Sequence, residues 1–187
     1  MATTDEIGER LSHVRLLAMD VDGVLTDGTI EFTADGDETK RFHIADGLGI
    51  KLALHAGLLV AWISGRKSSA VARRADELGV TRLIAGASNK SQALAELIGG
   101  HALSQRNVAY IGDDLNDLPA YSVVGVKFAP SSAVTEIKAV ADFVTQREGG
   151  RGAVREVCDM ILKAQGKWND AVSAYLGTLL RNDDSRE

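Results

Sequence analysis

Acidic side chains gather in two short stretches of this 187-residue chain: Asp20-Val21-Asp22-Gly23-Val24-Leu25-Thr26-Asp27-Gly28 and Gly112-Asp113-Asp114-Leu115-Asn116-Asp117. Each follows a dense apolar run, Leu16 to Met19 and Val108 to Ile111. Such runs form strands buried on both faces. In an open parallel sheet ligands bind beyond the carboxyl ends of the strands, which brings both acidic clusters to one edge. Asp and Gly are also ordinary turn residues, so the first stretch by itself has a strand-ending turn as its lesser alternative. The second cluster changes that, because like charges converging in one cleft raise one another's pKa unless a cation sits among them. Hard oxygen ligands at strand ends suit Mg²⁺, which takes one or two carboxylates and a phosphate oxygen. With such an ion in place, one Asp can attack phosphorus and form an acyl phosphate that water later hydrolyses.

Two further groups fall at the same edge. Val60 to Ile63 runs into Ser64-Gly65-Arg66-Lys67-Ser68, where the next helix is expected to start. A hydroxyl and free N–H groups there make a phosphate cradle, with a plain N-cap as the alternative for Ser64. Lys90 follows Gly86-Ala87-Ser88-Asn89 after the third strand; a lysine opening a helix is more often solvated. Acid pair, hydroxyl, lysine and second acid pair, at the ends of four successive strands, together make a phosphoryl-transfer site.

The elements that position these groups are legible from periodicity. Apolar runs at Leu58 to Ile63, Leu83 to Ala85, Val123 to Val126 and Phe143 to Val144 complete a set of buried strands. Between them, Val71, Ala75 and Leu78, then Leu94, Leu97 and Ile98, then Val154, Val157, Cys158, Ile161 and Leu162 repeat with helical spacing. Strand and helix alternate, which predicts right-handed crossovers and a doubly wound α/β fold with five or six parallel strands. Thr29 to Phe42 interrupts the alternation: two period-2 segments flank Ala34-Asp35-Gly36-Asp37, the signature of a β-hairpin. The expected layout is one domain over 1–187, with a core near 14–165, the hairpin at 29–42 and a tail at 166–187. Leu180 to Glu187 reads as a polar, frayed end.

Composition excludes several classes. Charged residues are 25% and apolar residues 45%, ordinary for a folded soluble chain. The net charge of -5 and pI near 5.4 provide no footprint for nucleic acid or an anionic membrane surface. Cys158 is the one cysteine, so no intrachain disulfide or multi-cysteine metal site exists. The first ten residues carry Asp5, Glu6, Glu9 and Arg10, wrong for a secretory signal, and no apolar run nears the roughly 20 residues of a membrane span. A cytoplasmic location is expected.

The set Asp20-Val21-Asp22-Gly23-Val24-Leu25-Thr26-Asp27-Gly28, Ser64-Gly65-Arg66, Lys90 and Gly112-Asp113-Asp114 resembles the haloacid dehalogenase superfamily of phosphatases. More narrowly, from near Val14 to about Lys167, and above all in Gly149-Gly150-Arg151-Gly152-Ala153-Val154-Arg155-Glu156-Val157-Cys158-Asp159 and Ala164-Gln165-Gly166-Lys167, the chain resembles the 3-deoxy-D-manno-octulosonate 8-phosphate phosphatases. The resemblance implies Asp20 as nucleophile and Asp22 as general acid, then base. It implies Ser64 and Lys90 on the transferring phosphoryl oxygens, and Mg²⁺ held by the Asp20 carboxylate, the Asp22 carbonyl and Asp113, with Asp114 and Asp117 in support. Substrate contacts are implied for His43, Ile44, Ala45, Asp46, Gly47, Lys51, Arg66, Arg74 and Lys90. A sugar-acid phosphate carries two anionic groups, for which Lys and Arg are the natural complement. Ala45 stands where that family usually has Arg, His43 where Asn is common and Ser64 where Thr is common. A capless site, lipopolysaccharide biosynthesis and a homotetramer with the site near a subunit interface are also implied, and Ile30, Phe32 and Phe42 are candidates for that interface or for packing on their own domain.

The implied substrate is 3-deoxy-D-manno-octulosonate 8-phosphate. A nine-carbon sugar-acid phosphate or another phosphorylated metabolite is the same-fold alternative. A receiver-type signalling module shares the acids, hydroxyl and lysine but phosphorylates an Asp after its third strand, where this chain has Leu83-Ile84-Ala85-Gly86. A purely assembling, non-catalytic domain leaves the complete acid set without a purpose. His43 and His55 have no second His or Cys at metal-ligand spacing and read as a surface or substrate-side imidazole and a helix-face residue. Cys158 reads as inert core, Trp62 as a buried strand residue and Trp168 as part of an inter-subunit tail. Arg147, Arg151 and Arg155 read as solvated or facing a neighbour.

Overall fold

The computed structural model describes residues 4–184. Its centre is a six-stranded sheet in which every pairing is parallel. The strands are β1 (Leu16–Met19), β4 (Leu59–Ser64), β5 (Arg82–Ala85), β6 (Val108–Ile111), β7 (Val126–Ala129) and β8 (Phe143–Val144), in the order β5-β4-β1-β6-β7-β8. The remaining strands, β2 (Glu31–Phe32) and β3 (Glu38–Thr39), pair antiparallel as the hairpin.

Helices cover both faces because successive strand residues point opposite ways. Leu17, Met19, Val60 and Trp62 pack with α1 (Thr4–Ser12), α2 (Ile44–His55), α3 (Ser69–Leu78) and α7 (Ala153–Ala164). Leu16, Ala18, Ala61 and Ile63 pack with α4 (Lys90–Gly100), α5 (Leu118–Tyr121) and α6 (Thr135–Val140). The doubly wound α/β fold is present, and the apolar stripes of α3 and α7 are buried as their spacing requires. Successive crossovers from β1 run to β4 and β5 on one side and from β6 to β7 and β8 on the other, so the order reverses between β1 and β6. That switch point is where open sheets bind ligands.

Four local expectations are corrected. The run Val123 to Val126 is the turn after α5 and only the first residue of β7; polar Lys127 disguised the strand's remainder. Phe42 is no candidate for an outside interface, because it stacks on Trp62 at 6.4 Å with the Arg74 guanidinium over its ring. Ile30 and Phe32 do remain exposed, Phe32 at 62%. Leu180 to Asp184 is helical rather than frayed, the end of α8 (Trp168–Asp184), while the last three residues of the expected tail lie outside the described residues. Trp168 opens α8 and packs with Leu52, Leu162 and Ala171 of its own chain, under Arg155 and Lys163.

Candidate active site

Asp20 leaves β1 with its N–H bonded to the Ile111 carbonyl at 3.0 Å, which fixes it beside the loop that follows β6. The chain then turns sharply: the Val21 carbonyl accepts from the N–H groups of Val24, Leu25 and Thr26, and Gly23 adopts φ +88°. A Cβ at Gly23 would stand 2.0 Å from Asp113 Oδ2, so a glycine is required where the two acidic loops touch. The Gly149-Gly150 signature has the same origin. A Cβ at Gly149 would meet the Gly23 carbonyl, and the Gly150 N–H closes onto the Val24 carbonyl at 2.8 Å. These glycines let the loop before α7 clamp the turn after Asp20.

The carboxylates of Asp20, Asp113 and Asp117 each offer an oxygen within 4.8 Å of the others. Among the described residues Lys90 is the one cation paired with them, at 2.9 Å from Asp20 Oδ1 and 2.7 Å from Asp117 Oδ1. Asn89 caps α4 by accepting the Gln92 N–H, which places Lys90 at the first turn and aims it inward; its side chain is buried, not solvated. Asp117 is fully buried and also accepts from the Tyr110 hydroxyl at 2.6 Å and the Asp113 N–H at 2.9 Å. Asp114 caps the single 3₁₀ turn Leu115–Asp117 that delivers it.

Three acids against one ammonium leave the cluster short of positive charge. Burial first, then the charge of Asp117, raises the Asp20 pKa to about 6 despite Lys90. Burial, then the charges of Asp20 and Asp117, raises Asp113 to about 8. Burial disfavours the Lys90 ammonium, yet Asp20 and Asp117 outweigh it and its pKa is raised. The Tyr110 hydroxyl is pushed well up by burial and by Asp117, so it remains a donor. Asp113 Oδ1 is buried with no hydrogen-bond partner. An all-oxygen donor set, an orphaned carboxylate oxygen and surplus negative charge fit a hard divalent cation.

Asp22 stands apart from this cluster: its carboxylate turns outward to Lys40, so any share it takes in a metal site falls to its backbone carbonyl. Ser64 is the buried last residue of β4, and its Oγ accepts the Arg66 N–H at 3.1 Å. It is not the cap of α3, which begins at Ser69 behind Ser68; Gly65 to Ser68 is an intervening loop.

The residues singled out for substrate fall in several places within one chain. Lys90 lies with the acids and Ser64 ends β4, the strand beside β1, while Arg66 reaches the hairpin and bonds Glu38 at 2.7 Å. His43 and Ala45 line a cavity of about 410 Å³ with Arg147, Arg151 and Arg155. Gly47, Lys51 and Arg74 border a second cavity of about 350 Å³, beside Ile44, which is 84% exposed. Asp46 faces inward instead, where its carboxylate accepts the N–H groups of Gly152 and Arg155 and anchors the start of α7. Burial nonetheless raises its pKa. His55 sits edge-on to Tyr175. Cys158 is buried, and burial pushes its thiol up beyond reach. Residue spacing did not single out Tyr110, Lys40 or Glu38; only the hairpin's alternation, which turns Glu38 and Lys40 to one face, held a signal for the latter two.

A strand-end acid cluster with a lysine beside it, at the switch point of a parallel sheet, is suited to phosphoryl transfer. Residues 61–157 match the haloacid dehalogenase-like hydrolases, and the chain belongs to that family. It is 46% identical over 166 residues to the 3-deoxy-D-manno-octulosonate 8-phosphate phosphatase of Escherichia coli strain B, covering 89% of this chain and 88% of that protein. The Yersinia pestis phosphatase of the same name superposes with TM-score 0.86 at 43% identity, over 88% of this chain and 89% of that one. A third of that name, from Moraxella catarrhalis, was solved with magnesium, phosphate and 3-deoxy-D-manno-octulosonate; it aligns with TM-score 0.89 at 41% identity, over 92% and 99% of the two chains. The receiver reading is set aside, since β5 ends at Ala85 without an acid and the family is a hydrolase family.

Proposed function

We propose that this chain is a Mg²⁺-dependent phosphoric monoester hydrolase that converts 3-deoxy-D-manno-octulosonate 8-phosphate to the free sugar acid and phosphate through an aspartyl phosphate on Asp20. The observation that carries the reading is the meeting of Asp20, Asp113 and Asp117 around a partnerless carboxylate oxygen, with Lys90 alongside. The named relatives supply the substrate.

Asp20, the Asp22 carbonyl and Asp113 would hold the ion, which supplies Lewis-acid neutralisation of phosphoryl charge. The Asp20 carboxylate attacks phosphorus in line with the leaving oxygen. Asp22 protonates that oxygen and then takes a proton from the water that opens the acyl phosphate. Ser64 and Lys90 bind the equatorial oxygens, where fixed donors and charge contribute most to phosphoryl transfer. Asp117 holds Lys90 in that position. Arg66, Arg74, Lys51 and the segment from His43 to Gly47 complement the sugar acid, apart from the inward Asp46. Their dispersal in one chain supports a homotetramer in which a neighbouring subunit completes each site. We place the enzyme in the cytoplasm, in lipopolysaccharide biosynthesis, with the whole chain as one catalytic domain; among the described residues no helix is long and apolar enough to cross a membrane.

Ala45 favours one second reading. It contributes only a methyl group to the cavity it lines, leaving room for a nine-carbon sugar acid. Phosphate release across a panel of eight- and nine-carbon sugar-acid phosphates separates the two. Asp20→Asn keeps the side chain's shape and removes its nucleophilicity, so turnover of every substrate should vanish while the fold persists; substantial residual turnover would refute the assignment.

A further inference from the structure

We propose that Lys40, carried on the hairpin, is a positioning residue for acid catalysis: it pins the Asp22 carboxylate through an ion pair whose outer side is anchored by Glu38 and Arg66. The inference rests on the reading of Asp22 given above and adds the device that aims it.

Lys40 directly follows β3, and its side chain is 0% exposed. Lysines are almost never fully buried unless paired. Its Nζ lies 2.5 Å from Asp22 Oδ1 and 3.0 Å from Glu38 Oε1, while Glu38 Oε2 takes the Arg66 guanidinium at 2.7 Å. Four charges of alternating sign therefore run from the mouth of the site to its acid. Burial opposes the ammonium, but the bonds to Asp22 and Glu38 outweigh it and raise its pKa. Glu38 is lowered to about 2, first by Arg66 and then by Lys40. Lys40 and Glu38 therefore stay charged near neutrality.

Asp22 needs such a partner. It sits on a tight turn, outside the Asp20, Asp113 and Asp117 cluster, with its side chain partly open to solvent. A general acid must lie within hydrogen-bond reach of the oxygen it protonates. A misplacement on the order of 1 Å costs about 10²-fold in rate. A charge-assisted bond from a covered ammonium restricts the carboxylate to one arrangement and leaves its other oxygen for the substrate. Because Glu38 steadies both Lys40 and Arg66, the hairpin sets the acid and one substrate-side cation together.

Leaving-group dependence tests the role. An alkyl phosphate departs as a basic alkoxide that needs a proton, whereas p-nitrophenolate leaves unassisted. The ratio kcat/KM reports events up to the acyl phosphate, before Asp22 acts as base. General acid catalysis contributes about 10² to 10⁴-fold. In Lys40→Met, kcat/KM for octulosonate 8-phosphate should fall at least tenfold more than kcat/KM for p-nitrophenyl phosphate, and Lys40→Arg should recover most of the difference. Glu38→Gln keeps Lys40 but loosens its outer anchor, so it must show the same split to a lesser degree, whether or not Lys40→Met folds. Equal losses on both substrates, or none, overturn the proposal. Asp22→Asn is the reference: if it too depresses both substrates equally, the acid assignment itself fails. If Asp22→Asn separates the substrates and the Lys40 and Glu38 variants do not, only the positioning role falls.

Discussion

Replacing Gly23 by alanine isolates the contact between the two acidic loops. The added Cβ would stand 2.0 Å from Asp113 Oδ2 and 2.5 Å from its Cγ. Carbon needs about 3.5 Å of separation, so the carboxylate must retreat by more than about 1 Å. The backbone contributes separately, because φ +88° is strained for any L side chain and alanine there costs about 1–2 kcal/mol. Gly28 provides the control: its φ is +79°, and the nearest atom to an added Cβ is 3.6 Å away. Both variants should lose the backbone share alike, roughly 2–8 °C in Tm for a chain of this size, and Gly23→Ala somewhat more for the displaced carboxylate. Only Gly23→Ala should move a metal-side carboxylate, and a displacement on the order of 1 Å costs about 10²-fold in rate. Mg²⁺-dependence of phosphate release, measured on both variants beside their melting curves, separates the effects. A Gly23→Ala enzyme matching Gly28→Ala in turnover and Mg²⁺ half-saturation would show that Asp113 does not need the position it holds.

Three other outcomes are expected. Lys90→Met breaks a buried pair with Asp20 and Asp117, which should cost about 3–5 kcal/mol of stability. Its turnover should fall about 10² to 10³-fold, and wild-type melting and kinetics would contradict the placement. In protein treated with chelator, Asp20 and Asp113 have folded pKa values of about 6 and 8 against 3.8. The native state then binds more protons than the unfolded chain between about pH 4 and 8, so Tm should fall as pH rises through that window. The carboxylates with lowered pKa values, Asp27, Glu38 and Glu77, give the opposite slope only at the acid end of that window and below it. Mg²⁺ should stop hydrolysis when removed, restore it when returned, and flatten the Tm slope; a chelated protein growing more stable toward pH 8 would contradict the cluster. Asp46→Ala removes the acceptor for the Gly152 and Arg155 amides at the start of α7, so it should cost about 1–3 kcal/mol while kcat/KM below the melting range stays near wild type. A selective rise in KM would return Asp46 to the substrate.

Much of this arrangement was readable from residue types because its causes are local. Buried parallel strands leave dense apolar runs, and the acids sit at their carboxyl ends, so β1, β6 and their clusters were visible together. Val123 to Val126 misled because a turn that packs into the core is as apolar as a strand, while β7 carries Lys127 in mid-strand. The state of Lys90 was hidden for a different reason. Only the third dimension brings a helix-opening lysine between Asp20 and Asp117, residues far apart in the chain. Asp46 shows the converse: a polar residue in a segment of family-typed function can be held by backbone amides 106 and 109 positions away. The glycine signature Gly149-Gly150 was legible as a pattern, yet its reason, backbone pressing on the turn after Asp20, exists only in the fold.

The electrostatics of the cluster also bear on why the proposed nucleophile and the ion belong together. Burial and mutual repulsion raise Asp20 to about 6 and Asp113 to about 8, which disfavours the ionised forms that metal binding and attack on phosphorus use. Lys90 alone does not overcome burial and mutual repulsion, since both values stay raised in its presence. A divalent cation at the orphaned Asp113 oxygen adds the missing charge and favours the ionised form of both acids. On the proposed reading the same site would take either protons or the ion, and loading it would release protons. Binding the cation would then do more than neutralise the phosphoryl group: it would also favour the ionised form of Asp20 that attack on phosphorus requires. The linkage sets a direction for the pH dependence: half-saturating Mg²⁺ concentrations should rise as pH falls from 8 toward 6, in step with the protons the cluster regains.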